Sequence, residues 1–277
     1  MAVKLPRELK GAFVRRPADA DKYSVGTVAV VGGSERYPHA PVIAALGARA
    51  AGAGLVQLVV PDASRFAAGA HVPEATFTKL TASCRPPRAD VLVVGMGLGL
   101  SKFSETLVAR LLSRTQGRLV ADADALTILA GQKHRKPVEG QELVLTPHEG
   151  EAARLLGCTR EKVHAGRLSA AKEIAGRYGA TVALKGAHTL VVSADGMRVY
   201  ENATGNPFMA LGGMGDLLSG VIGARWAYLG GDGFLATASG IWLHGLASDE
   251  LVKSATDPSL VNTAAAVGSL RVRLSRG

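Results

Sequence analysis

The sequence predicts a layered α/β protein in which a mostly parallel central sheet carries helices on both faces. Three observations carry this expectation. Short runs rich in β-branched residues recur along the chain, alanine- and leucine-rich stretches lie between them, and the apolar runs are continuous rather than alternating. A strand that is apolar at every position is buried on both faces, the condition of a parallel sheet covered by helices. With 277 residues and 47% hydrophobic content the chain can bury a large core, so a single domain over residues 1–277 is expected.

The elements follow in order. TVAVV (27–31) reads as the first strand, and the alanine-rich stretch 40–53 as the helix after it. LVQLVV (55–60) and DVLVV (90–94) are the next strands, followed by a helix at 103–113. RLVA (118–121), ELVLT (142–146) and TVALK (181–185) complete the parallel set, with helices at 148–156 and 166–178 as crossovers. Between 188 and 201 the pattern changes: two apolar runs flank Ala194-Asp195-Gly196, a turn sequence, so a hairpin is expected at the sheet's end. From 216 onward the chain reads as mainly helical, and no repeat, low-complexity segment or linker interrupts it.

Composition excludes several classes of function. The 32 basic and 23 acidic residues give a net charge of +9, with the excess at Arg15-Arg16, at KHRK (133–136) and in RVRLSR near the end of the chain. These clusters lack interleaved aromatic residues and any binding-module motif, so no nucleic-acid partner is expected; a solvated basic surface steers small anions weakly. Two cysteines, Cys84 and Cys158, make neither a disulfide framework nor a thiolate metal site, which fits a reducing compartment. The charged start of the chain is not a secretory signal, and no run reaches the ~18 apolar residues of a membrane span. A cytoplasmic protein with no membrane partner is expected.

In a parallel α/β sheet, ligands bind beyond the carboxyl ends of the strands. The residues there are GGSERYPHA, GMGLG, DADAL, TPHEGE and KGAHTL, so each strand delivers glycines or polar residues to the same edge. Turn chemistry explains any one of them. A sixth segment, GNPFMALGGMGDLLSG (205–220), places a single charge, Asp216, on a glycine hinge before a helix. Missing side chains at Gly213 and Gly215 let the amides of Gly213, Met214 and Gly215 approach a phosphate at the positive end of that helix, forming an anion hole. Asp216 could accept a proton from a substrate hydroxyl there, or simply cap the helix. Of Asp122 and Asp124 in DADAL, one is expected to cap the next helix. His244 reads as a helix residue. His148-Glu149 is not a zinc site, because HEGEA lacks a second histidine one turn on, and no P-loop or in-register GxGxxG occurs.

The GGMGD stretch resembles the GxGD signature of the ribokinase-like superfamily. The ordered pieces GGSERYPHA, GMGLG, DADAL, TPHEGE, LKGAHT and NATGNPFMALGGMGD resemble more narrowly the ADP-dependent NAD(P)H-hydrate dehydratases, over about residues 23–250. The resemblance implies a three-layer α/β/α ribokinase-like domain that dehydrates S-NADHX and S-NADPHX back to NADH and NADPH, with ADP as phosphoryl donor and AMP and phosphate released. It implies Asp216 as catalytic base; Ala40, Gly99, His148 and Asp216 around the hydrated nicotinamide; and Lys185, Gly186, Ala187, His188, Thr189 and Gly215 around the adenine nucleotide. Glu151 takes the place of the glutamate of the kinases' NxxE motif, which orders Mg²⁺ through water. A homotetramer and a functional link to a separate epimerase also follow from the resemblance. The chain departs from the family pattern at Pro38-His39-Ala40, where Thr-Gly-Ala is usual, and at Met96, where proline begins PGxG. A kinase of a small alcohol or vitamin precursor, and a nucleotide sensor without catalysis, are the alternatives.

Overall fold

The computed structural model describes residues 5–81, 83–85, 87–132 and 136–275. Residues 133–135 of the basic KHRK segment, and Arg276 of RVRLSR, thus lie outside the described residues. The strands are β1 (Thr27–Val31), β2 (Leu55–Val60), β3 (Thr76–Lys79), β4 (Val91–Val94), β5 (Gly117–Ala121), β6 (Gln141–Leu145), β7 (Thr181–Leu184), β8 (Leu190–Val192) and β9 (Val199–Glu201). They form one sheet in the order β3-β2-β1-β4-β5-β6-β7-β8-β9. Pairing is parallel from β3 to β7, and β8 and β9 join antiparallel, as the turn at Ala194-Asp195-Gly196 predicts.

The helices are α1 (Ala40–Ala51), α2 (Asp62–His71), α3 (Lys102–Arg114), α4 (Asp124–Gly131), α5 (Glu149–Leu156), α6 (Arg160–Ala165), α7 (Arg167–Tyr178), α8 (Met214–Leu229), α9 (Gly233–Lys253) and α10 (Leu260–Leu274). Strand residues alternate between two cores. Val28 and Val30 face the side covered by α1, α8, α9 and α10, while Ala29 and Val31 face α3, α4, α5 and α7. This double burial is what made the strands legible as unbroken apolar runs. β3 departs from that rule: TFTK is a partly exposed edge strand without an apolar run. No helix among the described residues is long and apolar enough to cross a membrane.

Two glycines set the arrangement on which the site depends. A Cβ at Gly220 of α8 would lie 1.8 Å from the carbonyl oxygen of Ala44 of α1, and one at Gly47 would lie 2.1 Å from that of Leu217. The two helix backbones therefore touch, and their starts emerge together at the carboxyl edge of the sheet. α10 also starts there, with Leu260 against Gly213, so all three helices end at the opposite edge. At that far edge Arg16 donates to the carbonyl of Gly52, Arg271 Nε donates to that of Ala50 at 3.4 Å, and Arg225, 2% exposed, donates to that of Ala12.

Gly220→Ala gains helix propensity, about 1 kcal/mol, but forces the α1–α8 crossing apart. The overpacking cost dominates, and the variant should lose about 2 kcal/mol. Thermal unfolding checks this; an unchanged midpoint would mean that the helices do not meet backbone to backbone.

Candidate active site

Asp216 is the third residue of α8, whose N-cap is Gly213, a glycine at φ +93° with no side-chain cap. The capping role is therefore not its own: its carboxylate makes no hydrogen bond or ion pair among the described residues. Of the expected anion-hole amides, that of Met214 is already committed, donating to the carbonyl of Leu211 at 3.2 Å within the tight turn. The amides of Gly213 and Gly215 have no partner among the described residues.

Next to this helix start lies a buried charge cluster. The Lys185 ammonium, at the end of β7, donates to Asp122 Oδ1 at 2.7 Å and lies 4.0 Å from Glu151 Oε2. Asp122, 1% exposed at the end of β5, accepts on its other oxygen from Ser219 Oγ of α8 at 2.7 Å. Lys185 Nζ is 3.4 Å from where a Cβ of Gly215 would stand, so any larger residue there would press on the cluster.

Burial, and next to it the Asp122 charge, pushes the Asp216 carboxyl up to about 7, with Lys185 opposing. Burial likewise raises Glu151 to about 7, again against the Lys185 charge. For Lys185, burial disfavours the ammonium, but Asp122 and Glu151 outweigh it and hold the amine above its ordinary value. Asp216 is thus a carboxyl tuned toward neutral pH by a low-dielectric site and like charge.

The DADAL aspartates do not cap α4. The cap position is Ala123, at φ 51° without a side-chain bond, while Asp122 is spent on Lys185 and Ser219. Asp124 accepts from the Gly99 amide at 2.8 Å. Gly99, expected against the hydrated nicotinamide, therefore has its N–H engaged by protein, although a Cβ there would meet nothing within 4 Å. Ala40 opens α1 beside it: a Cβ at Gly97 would come within 3.0 Å of Ala40 Cβ, and Gly33 N–H donates to the Met96 carbonyl at 2.8 Å. The two loops expected on one side of the site are thus interlocked.

His148 is the N-cap of α5. Its Nδ1 accepts from Gly150 N at 2.9 Å and Glu151 N at 3.3 Å, while Glu151 Oε2 accepts from His148 N at 2.8 Å, a reciprocal capping box. Burial, then the Lys185 charge, keeps the imidazole below its usual range, consistent with an accepting Nδ1. His148 borders a cleft of about 1070 Å³ with Lys185, Gly186, Ala187 and His188, over an apolar floor of Leu190 and Val199. It therefore stands on the same side as the residues expected around the nucleotide. Thr189 holds that loop from within, its hydroxyl donating to the Gly186 carbonyl at 3.0 Å. No cluster of three or more His, Cys, Asp or Glu side chains arranged for a metal occurs among the described residues. The donor set fits Mg²⁺ only if phosphate oxygens and water supply most ligands, with Glu151 as an outer partner.

A parallel sheet with helices on both faces, carrying an open carboxylate at a glycine-initiated helix start on its carboxyl edge, defines a ribokinase-like protein. A solved structure from Bacillus subtilis, an ADP/ATP-dependent NAD(P)H-hydrate dehydratase co-crystallized with ATP/Mg²⁺, superimposes with a TM-score of 0.82 at 26% identity, covering 95% of this chain and 93% of the other. The chain belongs to the NAD(P)H-hydrate dehydratase family, whose family model matches residues 28–267. An ADP-dependent (S)-NAD(P)H-hydrate dehydratase of Neisseria meningitidis is 41% identical over 247 residues, 88% of this chain and 83% of that protein. A bifunctional NAD(P)H-hydrate repair enzyme of Moorella thermoacetica is 40% identical over 256 residues, 86% of this chain. This chain spans about half of that relative, 47% of its length.

The raised Asp216 carboxyl has a consequence for stability. In the folded protein ionisation is resisted up to about 7, against 3.8 ordinarily, so a penalty appears as pH rises from about 4 and is complete above about 7. Asp216→Asn should therefore be more stable than the parent at pH 8, on the order of 4 kcal/mol, and nearly equal to it at pH 3.5. Urea unfolding at both pH values checks this, and a difference independent of pH would contradict the shift.

Proposed function

We propose that the protein is an ADP-dependent (S)-NAD(P)H-hydrate dehydratase that returns hydrated NADH and NADPH to the reduced cofactors, acting as a single domain. The observation that carries the reading is the Asp216 carboxylate: unpartnered, held near neutral titration, and one residue from the free amide of Gly215. Hydroxide leaves a ring carbon badly. Asp216 takes the proton of the hydrate's hydroxyl as that oxygen attacks the terminal phosphoryl of ADP, and AMP departs. The resulting phosphate ester leaves readily, pushed out by the ring-nitrogen lone pair, and loss of the neighbouring ring proton restores the dihydronicotinamide. ADP and hydrate thus become AMP, phosphate and NAD(P)H.

Each remaining group has a part in this scheme. The Gly213 and Gly215 amides receive charge developing on the transferred phosphoryl group. The Lys185–His188 loop holds the nucleotide over the cleft floor, and the Lys185 ammonium, fixed by Asp122, stands where the phosphates meet α8. Ala40 and Gly99 line the nicotinamide side, where Asp124 fixes the Gly99 amide, and His148 stands at the border between the two ligands. Mg²⁺, bound through phosphate and water with Glu151 beyond, would supply charge neutralisation on the phosphates. The same reading places the enzyme in the cytoplasm as a homotetramer, supplied by a separate epimerase. Support for that link comes from relatives named bifunctional repair enzymes that are about twice as long.

Given hydrated NADH and ADP, the protein should release AMP and phosphate in equal amounts while the near-ultraviolet absorbance of NADH returns. Phosphorylation of an alcohol without phosphate release would instead make it a kinase. Asp216→Asn should abolish turnover yet bind ADP within tenfold of the parent, about 1.4 kcal/mol. Retained turnover would remove Asp216 from the base role. Because a base must be ionised, kcat/KM should rise with pH through about 7 and level above it. A rate that is flat from pH 5 to 8 would contradict this.

A further inference from the structure

The 185–188 loop is held from beneath by a residue that no motif singles out. Arg167, the first residue of α7, has a side chain only 20% exposed. Its NH2 donates to the carbonyls of Leu184 at 3.0 Å and His188 at 3.1 Å, and both terminal nitrogens lie 3.4 Å from the Lys185 carbonyl. NH1 also donates to Glu149 Oε1 at 2.7 Å, and Glu149 directly follows His148. The guanidinium is packed tightly against the loop: a Cβ at Gly186 would stand 2.8 Å from each terminal nitrogen. A second tie lies nearby, where the Lys185 amide donates to the Pro147 carbonyl at 2.8 Å.

From this geometry we infer that Arg167 is a positioning residue for nucleotide binding: its planar fork sets the 185–188 loop and locks it to the His148 end of α5. The inference rests on the nucleotide reading of that loop. Arg167 spends its donors on protein carbonyls and Glu149, so it shapes the loop rather than touching phosphate. Only a guanidinium can do this. Its donors diverge in one plane and reach the carbonyls and the carboxylate together, whereas an ammonium is a point charge. Glu149 keeps the arginine oriented and is itself held by His164 Nδ1 at 3.0 Å and Arg160 Nε at 3.4 Å. The loop's shape is thus transmitted to the start of α5, where His148 meets the cleft.

The test compares Arg167→Lys, Arg167→Met and Gly186→Ala with the parent, by calorimetric titration with ADP and by steady-state kinetics with hydrated NADH. Arg167→Lys should weaken ADP binding about tenfold and raise the KM for ADP to match, with kcat at saturating ADP lowered less than threefold and a melting temperature close to the parent's. Arg167→Met should weaken binding further. Gly186→Ala keeps the arginine but displaces it, and should also raise the KM for ADP. Unchanged ADP affinity in either Arg167 variant overturns the inference. So does a fall in melting temperature accompanied by equal rises in the KM of both substrates, the signature of a purely structural residue. If the parent itself fails to bind ADP, the nucleotide reading falls first; if the parent binds and the variants bind equally, only the role of Arg167 falls.

Discussion

The contact between the Lys185 ammonium and the buried Asp122 carboxylate, 2.7 Å apart, is the interaction on which the site depends. It joins the ends of β5 and β7, and Ser219 extends it to α8, so three elements distant in sequence are held in one register. Such a pair adds little net stability, because desolvating two charges costs about as much as their attraction returns. Its value here is positional. Removing either partner would leave the other charge uncompensated beside the start of α8. The Asp122 charge also reaches Asp216 and helps hold that carboxyl near neutrality, so the same contact sets both shape and proton affinity.

Much of the fold was legible because double-sided burial writes unbroken apolar runs into the sequence. Where burial is one-sided or partial, as in β3, the signal vanishes. The glycine hinge before Asp216 was equally legible, since such a run of glycines is more than a helix cap requires. The DADAL aspartates were misread for a physical reason. An aspartate before a helix is a good cap on local grounds, but the partner of Asp122 lies 63 residues away at Lys185, and no local rule carries that distance. Nor does alanine announce a positive φ, yet Ala123 adopts one at the turn that aims both carboxylates. Such strain in a non-glycine residue costs of order 1–3 kcal/mol and tends to mark functional turns. Arg167 gave no signal at all, because it acts on backbone carbonyls rather than on a motif.

The two departures from the family pattern meet in the structure. His39 is the N-cap of α1, and Met96 is fully buried, with its carbonyl receiving the Gly33 amide. Both positions belong to the interlock between the loop after β1 and the loop after β4, beside Ala40 and Gly97. The changes therefore fall on the packing of one loop against the other, while the Asp122, Lys185 and Asp216 side chains follow β5, follow β7 and open α8.

The arginines at the far edge give the basic excess of the chain a physical meaning. α1, α8 and α10 run in the same sense, so their partial positive ends gather at the carboxyl edge of the sheet and their partial negative ends at the opposite one. Arg16 and Arg271 sit on the last carbonyls of α1, and Arg225 lies near the end of α8. Arg16 and Arg271 there offset the negative end of α1, so that end no longer cancels the positive one at longer range, whereas Arg225 donates to the Ala12 carbonyl. Part of the net charge of +9 thus acts at a distance. At the carboxyl edge this leaves the positive helix starts beside Asp216 less cancelled from behind, although no arginine of this group stands there.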